Sequence, residues 1–284
     1  MTKIKPMLAH KFDEARINFK KDIVYMQPKL DGVRCLFTKD GAFSRTGKQF
    51  MNVKHIEADL QDLFKVCPWI SLDGELYNHN LKDDFEKIIS LVRKQKPTDE
   101  DRSEARRLTQ YHVYDYTGRD YMSLEGLPYR DRLDNLTCSD MYTPSVCYVE
   151  SRRVKTMKQA KDFHKRKLAE GYEGSILRTN TPYKHGRSYG LMKFKDFSDD
   201  EATIIGYEVG QGKREGTLGK FVMQDDDGVE FGCPPGKGYN YKDLADMLDN
   251  IQGYLGKRAT FTYFQRTKAG SYRHPLYKCL RNYE

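Results

Sequence analysis

Apolar residues recur along this chain with two different periods. Val53, Ile56, Leu60, Leu63 and Phe64 repeat every three or four residues, which predicts an amphipathic helix, and Phe85, Ile88, Ile89 and Val92 predict another. Leu133 and Leu136 after Pro128 predict a third. Met157, Ala160, Phe163 and Leu168 predict a fourth, stopped by Gly171. Between these stripes lie short runs of strand formers, at 23–26, 33–38, 111–116, 174–178 and 191–197. The charge-dense stretch 94–107, broken by Pro97, reads as a surface loop with at most a short helix.

From residue 198 the rhythm shortens. Strand-like runs at 203–209, 219–224, 229–231, 258–264 and 276–280 alternate with glycine-rich turns. One helical stripe interrupts them: Leu244, Met247, Leu248 and Ile251. Five strands and a helix in under ninety residues suit a small oligonucleotide-binding barrel. The chain therefore divides into 1–197 and 198–284, with a linker expected near 196–200.

Composition narrows the class. With 284 residues, 38% hydrophobic and 12% aromatic, two packed domains are feasible and disorder is not expected. The net charge of +8 is uneven: residues 1–197 hold 37 of the 49 basic and 28 of the 41 acidic residues. That excess fits a polyanionic partner. The six cysteines are scattered without Cys-x-x-Cys spacing, which speaks against a structural zinc site and for reduced thiols in a cytoplasm. No run is long and apolar enough for a signal peptide core or a bilayer span, so no membrane partner is expected.

The residues that could carry chemistry are a lysine before a glycine turn, spaced carboxylates and a late lysine pair. Lys29 precedes Gly32, which permits a tight turn and close approach of backbone to a ligand. An amine that attacks phosphorus must be unprotonated, and a free lysine titrates near ~10.4. Neighbouring cations, here Arg34, Lys193 and Lys195, are expected to lower that value. Asp73 and Glu75, two apart, would share one face of a strand, as would Lys193 and Lys195. Carboxylates suit a hard divalent cation. Tyr114 offers a ring face for stacking, and Gln27 an amide that both donates and accepts. Singly, each of these residues also reads as ordinary solvated surface or core.

Taken in order, the motifs are specific. Pro6-Met7-Leu8-Ala9, Lys29-Leu30-Asp31-Gly32-Val33-Arg34, Ser44-Arg45-Thr46-Gly47, Asp73-Gly74-Glu75, Tyr114-Asp115, Glu173-Gly174 and Lys193-Phe194-Lys195 resemble the covalent nucleotidyltransferase motifs of ATP-dependent DNA ligases. The pattern is nearest the compact phage, viral or accessory bacterial type. The segments 210–219 and 273–281 resemble the barrel of such ligases.

The resemblance implies an α+β fold. Residues 1–197 would form an ATP-grasp-like nucleotidyltransferase (adenylation) domain with antiparallel sheets and flanking helices, and 198–284 an OB-fold β-barrel. It implies ATP as co-substrate and Mg²⁺, or Mn²⁺, as metal. Lys29 would be the nucleophile, and Gln27, Lys29, Arg34, Arg45, Glu75, Tyr114, Lys193 and Lys195 would bind ATP. Asp31, Glu75 and Glu173 would hold metal. Arg34, Arg45, Lys213 and Arg214 would meet DNA.

The family's closing Arg-x-Asp-Lys is replaced here by Arg281 followed by Asn282, Tyr283 and Glu284. Arg273, Lys278 and Arg281 are the candidates for its role of orienting pyrophosphate. The partner would be nicked duplex DNA, the protein a monomer, and the compartment the cytoplasm of a host cell if the source is a phage or virus. The rivals are an RNA-end nucleotidyltransferase (an mRNA capping guanylyltransferase or an RNA ligase) and a catalytically idle nucleic-acid-binding module.

Overall fold

The computed structural model describes residues 5–82, 84–118, 126–138, 143–267 and 270–281. The chain forms two compact units, Met1–Lys195 and Asp196–Glu284.

The first unit holds two five-stranded sheets. Its elements in chain order are β1 (Met7–Lys11), β2 (Val24–Lys29), β3 (Val33–Thr38), β4 (Gly41–Ser44), α1 (Lys54–Asp59), α2 (Gln61–Val66), β5 (Ile70–Tyr77), α3 (Phe85–Val92) and α4 (Asp99–Leu108). They continue with β6 (Gln110–Gly118), α5 (Tyr129–Cys138), β7 (Val146–Tyr148), β8 (Arg152–Val154), α6 (Met157–Ala169), β9 (Gly174–Thr179) and β10 (Gly186–Phe194).

The strand orders are β1-β10-β9-β2-β8 and β4-β3-β5-β6-β7. All pairings are antiparallel except β1 with β10 and β6 with β7. Parallel pairing needs a crossover between the strands, and β6 reaches β7 by way of α5. Two cores follow. One joins Phe37, Leu72 and Tyr111 of the second sheet to Ile56, Leu60, Ile88 and Val92 from the helices. The other sets Ala160 and Phe163 of α6 against Val24, Met26, Leu177 and Met192 of the first sheet.

Three elements differ from the sequence expectation. The stripe from Val53 to Phe64 is two helices that meet at buried Leu60, whose N–H bonds back to both Ala58 and Ile56. The stretch that reads as a surface loop contains the ten-residue α4. A reciprocal cap starts it: the Asp101 N–H donates to Thr98 Oγ1 (3.2 Å) and the Thr98 N–H to Asp101 Oδ2 (3.0 Å). Three acids fill its first turn and two arginines its last, so its charge supports the helix macrodipole. β5 is not among the strand runs read from the sequence, although Ile70, Leu72 and Leu76 alternate with Ser71, Asp73 and Glu75; both of its faces are buried along nearly its whole length. Gly74 sits at its centre, where a Cβ would lie 2.5 Å from the His112 carbonyl oxygen and 2.6 Å from the Tyr111 ring.

The second unit is one antiparallel sheet in the order β13-β12-β11-β14-β15. Its elements are β11 (Ser198–Val209), β12 (Leu218–Gln224), β13 (Glu230–Cys233), α7 (Tyr241–Asp249), β14 (Arg258–Tyr263) and β15 (Leu276–Leu280). The expected linker is already strand at Ser198–Asp200, which pair with Tyr263–Phe261 of β14. The first half of β11 pairs with β14 and its second half with β12, which curls the sheet. The two edge strands approach through a single parallel bridge, Pro235 to Tyr277, with N–H···O bonds of 2.9 Å on either side. Among the described residues the barrel is thus drawn together without a closing ladder. Leu244, Met247 and Ile251 cover a core of Phe221, Phe231, Phe261 and Tyr277. No helix among the described residues is long and apolar enough to cross a membrane.

Thr98→Ala removes half of the reciprocal cap on an exposed helix end. We expect a loss of about 1 kcal/mol, read as a lowered urea midpoint with an unchanged slope. An unchanged midpoint would show that the cap does not hold α4.

Candidate active site

Gln27 and Lys29 sit two apart on β2 and so project to the same face. β2 pairs with β9 with Lys29 opposite Gly174 and Gln27 opposite Ile176, and β10 pairs on the other side of β9 with Phe194 opposite Ser175. Gly174 has φ +144°, and a Cβ there would stand 2.3 Å from the Phe194 carbonyl oxygen. Only glycine lets the strands close this far. The closeness delivers Glu173, 8% exposed, between two ammonium groups: one carboxylate oxygen pairs with Lys29 Nζ and the other with Lys195 Nζ. Lys193 has its ammonium form disfavoured, first by burial and then by Lys195, Lys29 and Arg187. The like-charge crowding expected in this region is expressed at Lys193.

The second sheet supplies the opposite wall. Gly32 allows the turn after β2 to lie against β5, where a Cβ would fall 2.3 Å from the Leu76 carbonyl oxygen. Arg34 on β3 then stands opposite Glu75 on β5. Its guanidinium grips Asp73 in a fork, Nε to Oδ1 at 2.9 Å and NH2 to Oδ2 at 2.5 Å, while the Tyr183 hydroxyl donates to Oδ2 at 2.7 Å. Asp73 is thus engaged by Arg34 and Tyr183. Burial pushes Glu75 up from 4.5 to about 8, against the opposing pull of Lys29 and Arg34. The Tyr114 ring lies between two guanidiniums, 5.6 Å from that of Arg34 and 5.5 Å from that of Arg178.

A cavity of about 300 Å³ opens among these groups. Gln27, Lys29, Arg34, Arg45, Glu75, Tyr114 and Lys193 all line it, with Leu8, Ala9, Ile176, Arg178, Arg187 and Leu191. Lys195, Glu173 and Asp31 do not line it. Lys195 and Glu173 reach it through Lys29, and Asp31 lies in the turn between β2 and β3. Two larger surface hollows, about 590 and 400 Å³, lie against α1 and contain none of these residues.

Among the lining or supporting residues Arg187 and Arg132 had no signal in the sequence, whereas Arg178 closes a Glu-Gly-x-x-x-Arg pattern that begins at Glu173. Arg187, at the start of β10, donates to the Ala9 carbonyl at 2.9 Å. Arg178 donates to Gln27 Oε1 at 2.6 Å and to Asp115 Oδ2 at 2.5 Å, and Arg132 grips the same Asp115. Burial alone would raise Asp115, but Arg178 and Arg132 outweigh it and hold the carboxyl below its ordinary range.

In the second unit Lys213 and Arg214 are exposed on a short 3-10 turn, Gly212–Arg214, at the tip of the β11–β12 hairpin. Lys278 pairs with Asp199 (2.7 Å) and Arg281 with Glu201 (2.8 Å), while the Arg273 guanidinium lies 5.9 Å from the Phe264 ring. The substituted end of the closing motif, Asn282, Tyr283 and Glu284, lies outside the described residues.

A family model for the ATP dependent DNA ligase domain matches residues 6–195, and one for a DNA ligase OB-like domain matches 209–281. A DNA ligase of African swine fever virus is 28% identical over 232 residues, covering 77% of this chain and 52% of the viral protein. The chain thus spans about half the length of the African swine fever virus ligases it matches. A DNA ligase of Haemophilus influenzae is 25% identical over 255 residues, covering 89% of this chain and 84% of that one. A solved structure from a structure–function study of Lig E DNA ligases superposes with a TM-score of 0.79 at 24% identity, over 98% of this chain and 99% of the other, and shares its fold.

The raised Glu75 makes a signed prediction. Its proton binds more tightly in the folded than in the unfolded chain, so the stability it contributes is complete below pH 4.5 and lost as pH rises through about 8. Glu75→Gln should flatten that part of the decline. Urea midpoints of both proteins at acid and at mildly alkaline pH check it, and parallel pH profiles would contradict it.

Proposed function

Because this chain belongs to the ATP-dependent DNA ligase family, we propose that it seals nicks in duplex DNA with ATP, through an AMP carried on Lys29. The observation that carries this reading is the placement of Lys29 Nζ on the wall of the cavity, in contact with Glu173, with Arg34, Lys193 and the Tyr114 ring lining the same space. The family models describe DNA ligases and do not favour the RNA-end reading.

In the proposed sequence the Lys29–Glu173 ion pair opens and Nζ gives up a proton to water. The Nζ lone pair then forms a bond to the α-phosphorus of ATP, the bond to the bridging oxygen breaks, pyrophosphate leaves, and the nitrogen loses a second proton to water. A 5′-phosphate oxygen at the nick next takes the AMP, breaking the P–N bond, and the lysine nitrogen is reprotonated from water. The 3′-hydroxyl finally attacks the 5′-phosphorus and yields its proton to water, AMP departs, and the strand is joined. Arg34, Lys193 and Lys195 supply fixed positive charge where the phosphates carry negative charge, which is worth most in a site shielded from water. Tyr114 offers its ring to the base and Gln27 its amide. Arg34 and Arg45, which line the cavity, would contact the ribose and later the nick 5′-phosphate.

Among the described residues no three His, Cys, Asp or Glu side chains converge into a metal-sized cluster. Glu75 on the cavity wall and Glu173 beside Lys29 present separate oxygen donors, a sparse set of the kind Mg²⁺ uses when substrate phosphates complete its shell. Glu75 and Glu173, with Asp31 at the sealing step, would hold Mg²⁺ or Mn²⁺, which would supply neutralisation of phosphate charge.

We assign adenylation to 1–197 and DNA clamping to 198–284. Lys213 and Arg214 at the hairpin tip would touch the phosphate backbone. Among the closing candidates, Lys278 and Arg281 must leave Asp199 and Glu201 to reach pyrophosphate, whereas Arg273 lies over the Phe264 ring. The six cysteines stand as free thiols, which suits a monomer at work in a reducing cytoplasm, a host's if the source is viral.

The test uses α-labelled ATP and a nicked duplex. Wild type should form an acid-labile, base-stable adduct and seal the nick, and Lys29→Ala should do neither. Glu173→Ala and Lys195→Ala should each slow sealing by roughly 10²–10³-fold, while Lys158→Ala, on an exposed helix face, should not. Labelling of Lys29→Ala at the wild-type level would remove Lys29 as nucleophile.

Charge reversal of Lys213 and Arg214 should spare adduct formation and weaken nick binding. It should also lower the slope of log affinity against log salt by about 0.9 for each phosphate no longer neutralised. Wild-type nick affinity in that variant would exclude the hairpin from the clamp.

A further inference from the structure

Gln27 is 1% exposed, and its amide is engaged on both sides. Nε2 donates to the Ser151 hydroxyl at 2.8 Å, to the Tyr129 hydroxyl at 2.9 Å and to the Tyr114 carbonyl at 3.4 Å. Oε1 accepts from Arg178 Nε at 2.6 Å. These partners do not constrain the amide equally. The two hydroxyls donate as readily as they accept, so they would satisfy it either way round. A guanidinium only donates. Reversing the amide would set its NH2 against the Arg178 N–H, two buried donors facing each other, a costly arrangement. The Tyr114 carbonyl favours the same orientation, but at a longer distance.

Arg178 has little room to yield. Its NH1 is tied to Asp115 at 2.5 Å, and its guanidinium lies 4.8 Å from the Tyr129 ring and 5.5 Å from the Tyr114 ring. Gln27 lines the cavity beside its cross-strand partner Ile176, and its Nε2 touches the Tyr114 backbone. Ring, aliphatic wall and amide are therefore neighbours, in a part of the cavity suited to a flat heterocycle. Oε1 keeps a second lone pair after accepting from Arg178.

We propose that Arg178 is a positioning residue for base choice. Nε2 turns toward Tyr129 and Ser151, which do not line the cavity, and Arg178, which does, holds Oε1 on the cavity side, so that an acceptor meets the purine 6-position, welcoming a 6-amino group and rejecting a 6-oxo group. This rests on the nucleotidyl-transfer reading of the cavity above.

The experiment compares kcat/KM for lysyl-adduct formation from ATP, GTP and inosine triphosphate. Inosine carries the 6-oxo group of guanine without its 2-amino group, so wild type should reject both 6-oxo nucleotides alike. In Arg178→Met the amide is free to turn, and the preference for ATP over inosine triphosphate should fall about tenfold or more. Arg178→Lys, still a donor only, should keep much of that preference. A structural role alone would lower all three rates together and leave the ratio unmoved.

The proposal is overturned if wild type takes inosine triphosphate as readily as ATP, a comparison that needs no variant. It is equally overturned if folded Arg178→Met keeps the wild-type ratio. Absence of any adduct from ATP in wild type would instead overturn the nucleotidyl-transfer reading itself.

Discussion

Asp115 fastens the two sheets of the N-terminal unit to each other. It lies on β6 of one sheet with no exposure, and it is gripped by Arg178 from β9 of the other sheet and by Arg132 from α5. A buried carboxylate is tolerated only with partners, and breaking such a pair typically costs about 3–5 kcal/mol. Here the partners also use their remaining donors: Arg132 NH1 on the Leu127 and Thr181 carbonyls, Arg178 Nε on Gln27. The ring that lines the cavity, Tyr114, is the residue next to this clasp, so the clasp sets where the cavity wall stands.

Two further ties share this form, one crossing between the same sheets and one joining strand ends within the first sheet. Asp73 of β5 receives both Arg34 and the hydroxyl of Tyr183, from the connection between β9 and β10. Glu173 receives Lys29 and Lys195. In each, one carboxylate serves more than one donor. The cations outnumber the acids, and the surplus shows at Lys193, whose charged form is disfavoured by burial and by its cationic neighbours. A cleft assembled in this way stores like-charge repulsion that a polyanion relieves on entry, which is why the arrangement suits a triphosphate better than a neutral ligand.

What the sequence made legible follows from range. Lys29, Arg34, Glu75, Tyr114 and Lys193 belong to short motifs that are read locally, and all of them line one cavity. The contacts that hold them could not be read. Gln27 and Arg178 are 151 positions apart, and Tyr183 meets Asp73 across 110. Such pairs leave no periodicity in either segment. Local reading fails in two informative places. In α4 dense charge reads as solvent-facing loop, although Thr98 and Asp101 form a reciprocal cap and the charge signs follow the helix dipole. In β5 Ile70, Leu72 and Leu76 alternate with Ser71, Asp73 and Glu75, a pattern that leaves the polar face to solvent, yet Ser71 and Asp73 are buried as well. The closing cations are legible as residue types only, since nothing local says that Lys278 and Arg281 rest on Asp199 and Glu201.

Glu75 and Glu173 show how one cleft gives two carboxyl groups different starting states. Glu173 is clasped by two ammonium groups, while Glu75 faces more burial than compensating charge and holds its proton to about pH 8. A cation held by these two carboxyls in the proposed reaction would meet two kinds of competitor, a proton at Glu75 and lysines at Glu173. In the proposed reaction the environment of each side chain, more than its identity, would order events in the cleft, with occupation by phosphate preceding the liberation of the Lys29 amine. If Lys29 is the nucleophile proposed above, the ion pair that places it also holds it out of reaction until phosphates enter the cleft.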